Sequence, residues 1–184
     1  AKVSRLLKRA ATVGIVRTTV TVAPGLYSET EEQLEQRFGL SEAVVVDVDP
    51  EADRDDILAA IGAGAAAYLE ATLSGADRIG VSSWSQTLLA VVDRMRPFAA
   101  RGATEVVQLL GGSGAPEVQG HSHHLLGDLS RILGAEAVHV QAPGIVASAA
   151  IRDSLLEDPA MQEISRRWRE LTMTIMGIGN IEPS

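Results

Sequence analysis

Three short stretches of this sequence gather residue types that do chemistry. The first, Gly80-Val81-Ser82-Ser83-Trp84-Ser85-Gln86-Thr87, holds small residues and hydroxyls in a row. Placed after a strand, such a stretch leaves backbone N–H groups free at the start of the next helix, where they bind anions. The competing use is structural, because Ser83 or Ser85 would cap that helix whatever the function. The second, Val107-Gln108-Leu109-Leu110-Gly111-Gly112-Ser113-Gly114, is glycine-rich. It fails as a dinucleotide fingerprint: the G-x-G-x-x-G spacing is not met, and no acidic residue ends a following strand at the expected distance. Its glycines suit a tight turn or the close approach of a ligand. The third, Gly120-His121-Ser122-His123-His124, contains three of the four histidines. Imidazoles so close together invite a zinc site. On a helix, however, His121 and His124 share a face while His123 points elsewhere, and no carboxylate lies beside them. The His-x-Glu-x-x-His spacing is also absent. The histidines therefore read as surface groups or hydrogen-bonding partners of a ligand, and neither a metal nor a cofactor is expected.

Charge adds a fourth signal. The first 17 residues hold Lys2, Arg5, Lys8, Arg9 and Arg17 and no acid, whereas the remaining 167 carry 11 bases and 24 acids. An acidic body repels nucleic acid, and a basic end is drawn to phosphate. Beneath these charges Val3, Leu6, Leu7 and Ala10 recur at helical spacing. That predicts an amphipathic helix over 2–13 with its bases outward. Gly14 stops it, and the β-branched run Ile15–Val22 predicts a strand.

The elements that must position these stretches follow from periodicity and punctuation. Pro24-Gly25 marks a boundary between a short unit over 1–22 and a main domain over 23–184. Ser28 with Glu31 reads as an N-cap and capping box for a helix running to about Phe38 and stopped by Gly39. Ala43–Val48 is a continuous apolar run, the pattern of a strand buried in a parallel sheet. A long helix is expected over 53–73, a strand over 78–82, and a helix over 86–98 that breaks near Pro97. Next come a strand over 104–110, a helix over 119–133 and a strand over 137–141. Helices over about 146–156 and 159–171 precede a last strand over 173–177. This alternation predicts an α/β fold with a doubly wound, mainly parallel sheet and helices on both faces. Ligands of such sheets bind beyond the strand C-termini, which is where the glycine and serine stretches fall.

The 184 residues suffice for one main domain with its own core. Cysteine is absent, which excludes disulfides and thiolate chemistry. No apolar run reaches the ~18–20 residues of a membrane span and no signal-peptide pattern opens the chain, so a cytoplasmic protein with no membrane partner is expected.

Lys2-Val3-Ser4-Arg5-Leu6-Leu7-Lys8-Arg9-Ala10 followed by Gly14-Ile15-Val16-Arg17 resembles the recognition helix and next strand of the SorC-type sugar-responsive transcriptional regulators of bacteria. The likeness extends over essentially the whole chain, through Ser82–Leu88, Gln108–Gly112, Ala142-Pro143-Gly144 and Gly177–Gly179. Where the family commonly reads Ser-Trp-Gly, this chain has Ser82-Ser83-Trp84-Ser85-Gln86. The resemblance implies that Lys2, Ser4 and Arg5 face operator DNA with Lys8 and Arg9 near phosphates, so that the chain begins inside its helix-turn-helix unit. It implies an effector domain, continuing past this chain's end, with a fold similar to sugar-phosphate isomerases and deaminases. It also implies a sugar or sugar-phosphate effector held by Ser82, Ser83, Ser85, Gln86, Thr87, Gly111, Gly112, His121, Gly177 and Gly179. Effector binding would change how subunits of a homodimer or homotetramer present their recognition helices. An isomerase- or deaminase-like enzyme is the alternative, but its proton shuttle needs a placed acid, histidine or lysine. The two strongest loops hold neither acid nor lysine, leaving His121 alone, so a regulator is expected and not an enzyme.

Overall fold

The apolar residues of β1 (Arg78–Val81) and β2 (Glu105–Gln108) form the centre of a four-stranded parallel sheet, completed by β3 (Glu136–Val138) and β4 (Met173–Ile175). The strand order is β3-β2-β1-β4, with Arg78 opposite Glu105, Ile79 opposite Met173, and Glu105 opposite Glu136. This computed structural model describes residues 27–82, 84–112 and 116–179, with the side chains of 116–123 left aside. The helix expected over 2–13, the strand expected over 15–22, the residues expected to face DNA (Lys2, Ser4, Arg5, Lys8 and Arg9), and Ser83 all lie outside the described residues.

The chain divides into two compact units, 1–47 and 48–184. In the first, α1 (Ser28–Phe38) ends as its sequence dictates, on Gly39 at φ 65°, a left-handed turn that glycine adopts without strain. Its start differs from expectation. The N-cap is Tyr27, not Ser28, and no side chain caps it. The reason lies with Glu31, whose carboxylate accepts the Val45 amide at 2.8 Å, while Glu35 accepts the Ala43 amide at 2.9 Å. Those bonds also account for the second correction. Ala43–Val48 is not a strand, and Val44 is 55% exposed. Alternate amides of the run are spent on helix carboxylates, so no ladder forms among the described residues.

In the second unit α2 (Arg54–Thr72) is capped by Asp53, whose side chain accepts the Asp56 amide. It crosses α3 (Gln86–Val92) so closely that a Cβ on Gly62 would meet the Ala90 carbonyl at 2.5 Å. α3 stops at Val92, short of the expected Phe98: the amides of Asp93 to Met95 still bond back to its last turn, but Arg96 donates to Glu70 and Phe98 to the Ile132 carbonyl. α4 (Pro116–Leu133) starts three residues earlier than its periodicity suggests. With α2 and α3 it covers one sheet face, where Ile79, Val81 and Val106 pack against Ala66, Leu69, Leu88, Val91, Leu125, Leu126 and Leu129. Each such buried aliphatic side chain stabilises by roughly 1.5–3 kcal/mol. β3 ends at Val138 instead of 141, since the Val140 amide is taken by the Gln108 side chain at 3.1 Å. α5 (Ala149–Glu157) and α6 (Pro159–Arg169) follow, capped by Ser148 and Asp158. α6 lies on the opposite face, with Arg167 on Glu105 and Trp168 donating to the Gln108 carbonyl. The expected α/β architecture is thus present, as a parallel sheet with helices on both faces.

Candidate functional site

Strand order alone locates the crevice. The chain moves from β1 outward to β2 and β3, then returns to the other side of β1 for β4. Connections therefore diverge between β1 and β4, leaving room above their C-terminal ends for a ligand. The glycine and serine residues singled out in the sequence form two groups at the strand C-terminal ends, one beyond β1 and β4 and one beyond β2 and β3.

Ser82 leaves β1 with its amide on the Ile175 carbonyl at 3.1 Å, and its hydroxyl accepts the Gly177 amide at 3.4 Å. Ser85 is the N-cap of α3, accepting the Leu88 amide on Oγ at 3.2 Å. Capping is thus the observed use of that hydroxyl. Gly177 sits so close that a Cβ there would overlap the Ser85 side chain, so any larger residue must displace that serine. Gly111 is buried, and a Cβ on it would run into the Ala142 carbonyl. Gly112 bridges to Pro143, and its carbonyl accepts the Gly144 amide at 3.0 Å. Gly144 in turn approaches the ring of Trp84, whose Cη2 would be 3.3 Å from an added Cβ. The loops after β2 and β3 are thereby joined through backbone, those after β1 and β4 through the Ser82 and Ser85 hydroxyls as well, and the two pairs meet where Gly144 approaches the Trp84 ring. Ala142-Pro143-Gly144 enters this set as a contributor of main chain, which its motif could announce but its side chains could not.

Gln86 and Thr87 form the first turn of α3, Gln86 exposed and Thr87 half-buried. His121 falls within α4, but its side chain lies outside the described residues. Gly179 is not drawn in: it is exposed, with nothing within 4 Å of where a Cβ would sit. Among the described residues no group of three His, Cys, Asp or Glu could hold a metal ion.

Arg78 and Arg152 are both engaged with carboxylates. Arg78 is at the opposite end of β1, paired with Glu170 and 3.6 Å from buried Glu105. Arg152 pairs with its neighbour Asp153 at 2.7 Å. The cation that sequence reading missed is Arg54, whose Nη2 donates to Gln86 Oε1 at 3.0 Å. A signal existed, since a base in the first turn of a helix opposes the macrodipole.

The carboxylates held below their ordinary range lie at the other end of the sheet. Hydrogen bonds from Arg166 and then Arg167 bring Glu163 down to about 2. Arg166 also lowers Glu170, and Ser74 and Thr172 lower Asp77. Perturbed acids often mark active sites, but these are tied into ion pairs and turns away from the crevice.

Known proteins resemble this chain in sequence and in fold. Residues 24–184 match the family described as "Putative sugar-binding domain". The sorbitol operon regulator of Klebsiella pneumoniae is 30% identical over 179 residues, 97% of this chain and 56% of the relative. The chain therefore spans little more than half the length of that protein. The crystal structure of full-length SorC from K. pneumoniae superposes with a TM-score of 0.75 at 29% identity, covering 94% of this chain and 55% of that one. The probable sor operon regulator from Shigella flexneri gives 0.72 at 27%, covering 80% and 59%. A DeoR family transcriptional regulator from Listeria monocytogenes gives 0.67 at 22%, covering 80% and 56%, a likeness of fold alone.

Proposed function

This chain belongs to the sugar-binding domain family of the SorC-type regulators, and from that membership we propose that its crevice binds the sugar effector of a bacterial transcriptional regulator. The observation that supports the reading is a pair of close approaches at the strand C-terminal ends, Gly177 against Ser82 and Ser85 beyond β1 and β4, and Gly111 and Gly112 against Ala142-Pro143-Gly144 beyond β2 and β3, joined where Gly144 approaches Trp84. Loops packed through backbone leave amides and carbonyls as the groups that greet a polyol. Such groups recognise hydroxyls by geometry and need no fixed charge. Thr87, Gln86 and His121 are the side-chain partners we assign to the same ligand.

The loops after β1 and β2 contain neither carboxylate nor lysine, which favours binding over proton-shuttling turnover. Regulation would arise by linkage. An effector that prefers one arrangement of the subunits shifts how recognition helices meet DNA half-sites, in a homodimer or homotetramer. Lys2, Ser4 and Arg5 are the residues we assign to operator contact, with Lys8 and Arg9 on phosphates, in a unit over 1–22 joined to the effector domain over 23–184. The relatives are operon regulators, and no helix among the described residues is long and apolar enough to cross a membrane, so the proposed place of work is the cytoplasm.

The test is a thermal-shift screen of sugars and sugar phosphates against the chain. A ligand at a hundred times its dissociation constant adds about 2.7 kcal/mol of stability. A selective shift from a sugar recovered intact supports the sensor. Consumption of the sugar, or no shift across the panel, overturns it.

A further inference from the structure

Arg54 occupies an electrostatically awkward position. It opens α2, where the helix dipole is positive and Asp55 and Asp56 sit favourably. Asp53, Asp55 and Asp56 all lie within two positions of it, yet the guanidinium turns to the neutral amide of Gln86, 32 residues away. Among the described residues that is its hydrogen-bond partner, and no carboxylate neutralises it. Arginine has five N–H donors in a planar fork, so most of its capacity remains open for a bidentate acceptor.

Its placement follows from connectivity. α2 ends at Thr72 and β1 begins at Arg78, so α2 runs back against β1 and its first turn lies on the side of the strand C-termini. Gln86 adjoins Ser85, the residue that closes on Gly177. Arg78 and Arg152, by contrast, are paired with carboxylates.

We propose that Arg54, steered by Gln86, is a specificity-determining residue that makes the crevice prefer a phosphorylated sugar to the same sugar without phosphate. The proposal rests on the sugar-effector reading above and adds to it the residue responsible for discriminating charge. Gln86 holds the fork toward the rim without quenching it, which a glutamate in its place would do.

The experiment measures, by calorimetry on the 184-residue chain, the affinities of hexitols, hexoses and pentoses and of their monophosphates. The readout is the ratio of affinities for each phosphorylated and free pair. Losing a charge-assisted hydrogen bond, worth about 1.5–3 kcal/mol, corresponds to roughly 10–150-fold in affinity. Arg54→Gln is expected to lower the ratio by about that factor, and Arg54→Lys to restore part of it. Gln86→Glu, which keeps the arginine but pairs it, is expected to lower the ratio as well. Unliganded melting temperatures check that each variant is folded. An unchanged ratio in Arg54→Gln, or a wild-type preference for free sugar, overturns the role of Arg54 while leaving sugar binding intact. A wild-type chain that binds no sugar overturns both.

Discussion

The two ends of this sheet are built from different chemistry. Above the C-terminal ends of β1 and β4 the polar groups are serine hydroxyls, a glutamine and glycine main chain, joined by neutral hydrogen bonds. At the N-terminal ends of the same strands Arg78, Glu105, Glu163, Arg166, Arg167 and Glu170 form a continuous ion-pair network. Glu105 within it is only 7% exposed and is clamped by Arg167 at 2.6 Å. Charge is committed where elements are fastened together. It is withheld at the loops beyond the strand C-termini, where the proposed site lies, apart from Arg54. The contrast explains how a domain can have strongly perturbed acids and yet not carry them at its binding crevice.

The comparison can be broken by substitution. The largest effect is expected from Gly111→Val, which forces a side chain into the Ala142 carbonyl. It should cost about 3 kcal/mol by denaturant unfolding and abolish sugar-induced stabilisation. Glu105→Gln removes the buried charge facing Arg167 and should cost about 2 kcal/mol, lowering the melting temperature by about 4–8 °C. Sugar affinity, measured by calorimetry, should stay unchanged because the crevice is at the other end. A parallel loss of affinity would mean that the two ends are not separable. Gly177→Ala meets the Ser85 side chain but no backbone and should cost about 1 kcal/mol, yet weaken the sugar strongly by displacing Ser85. Gly179→Ala, in open space, should stay within about 0.5 kcal/mol on both counts.

Acid sharpens the same contrast. Glu163 is held at about 2 in the folded chain against an ordinary 4.5. Its contribution to stability is therefore fully present above pH 4.5 and is lost as pH falls toward 2. Pairing at the solvent-exposed surface is screened, so the effect is the smallest of the series. Unfolding curves across this window should flatten in Glu163→Gln, whereas an unchanged acid limb would remove Glu163 from the network.

Much of this was legible in the sequence where a local rule governs. Gly39 ended a helix, Asp53 capped one, and Ile79 to Val81 formed a central strand. The rule failed wherever a side chain from elsewhere took a backbone amide. Glu31 and Glu35 drew the amides of Ala43–Val45 out of any ladder, Gln108 ended β3 by binding Val140, and Glu70 received Arg96 beyond α3. At the site, glycines were visible because close approach leaves its mark on residue type, as at Gly111 and Gly177. Arg54 was not, because its partner Gln86 is brought near only by the packing of α2 on α3.

The most direct measurement is an amide NMR titration of the isotope-labelled chain with a sugar taken from the thermal-shift screen. Binding at the crevice predicts that the amides of Ser82, Gly111, Gly112, Gly144 and Gly177 shift together, while those of Arg78, Glu105 and Glu170 stay in place. Shifts confined to the ion-paired end, with the glycine loops unmoved, would contradict it.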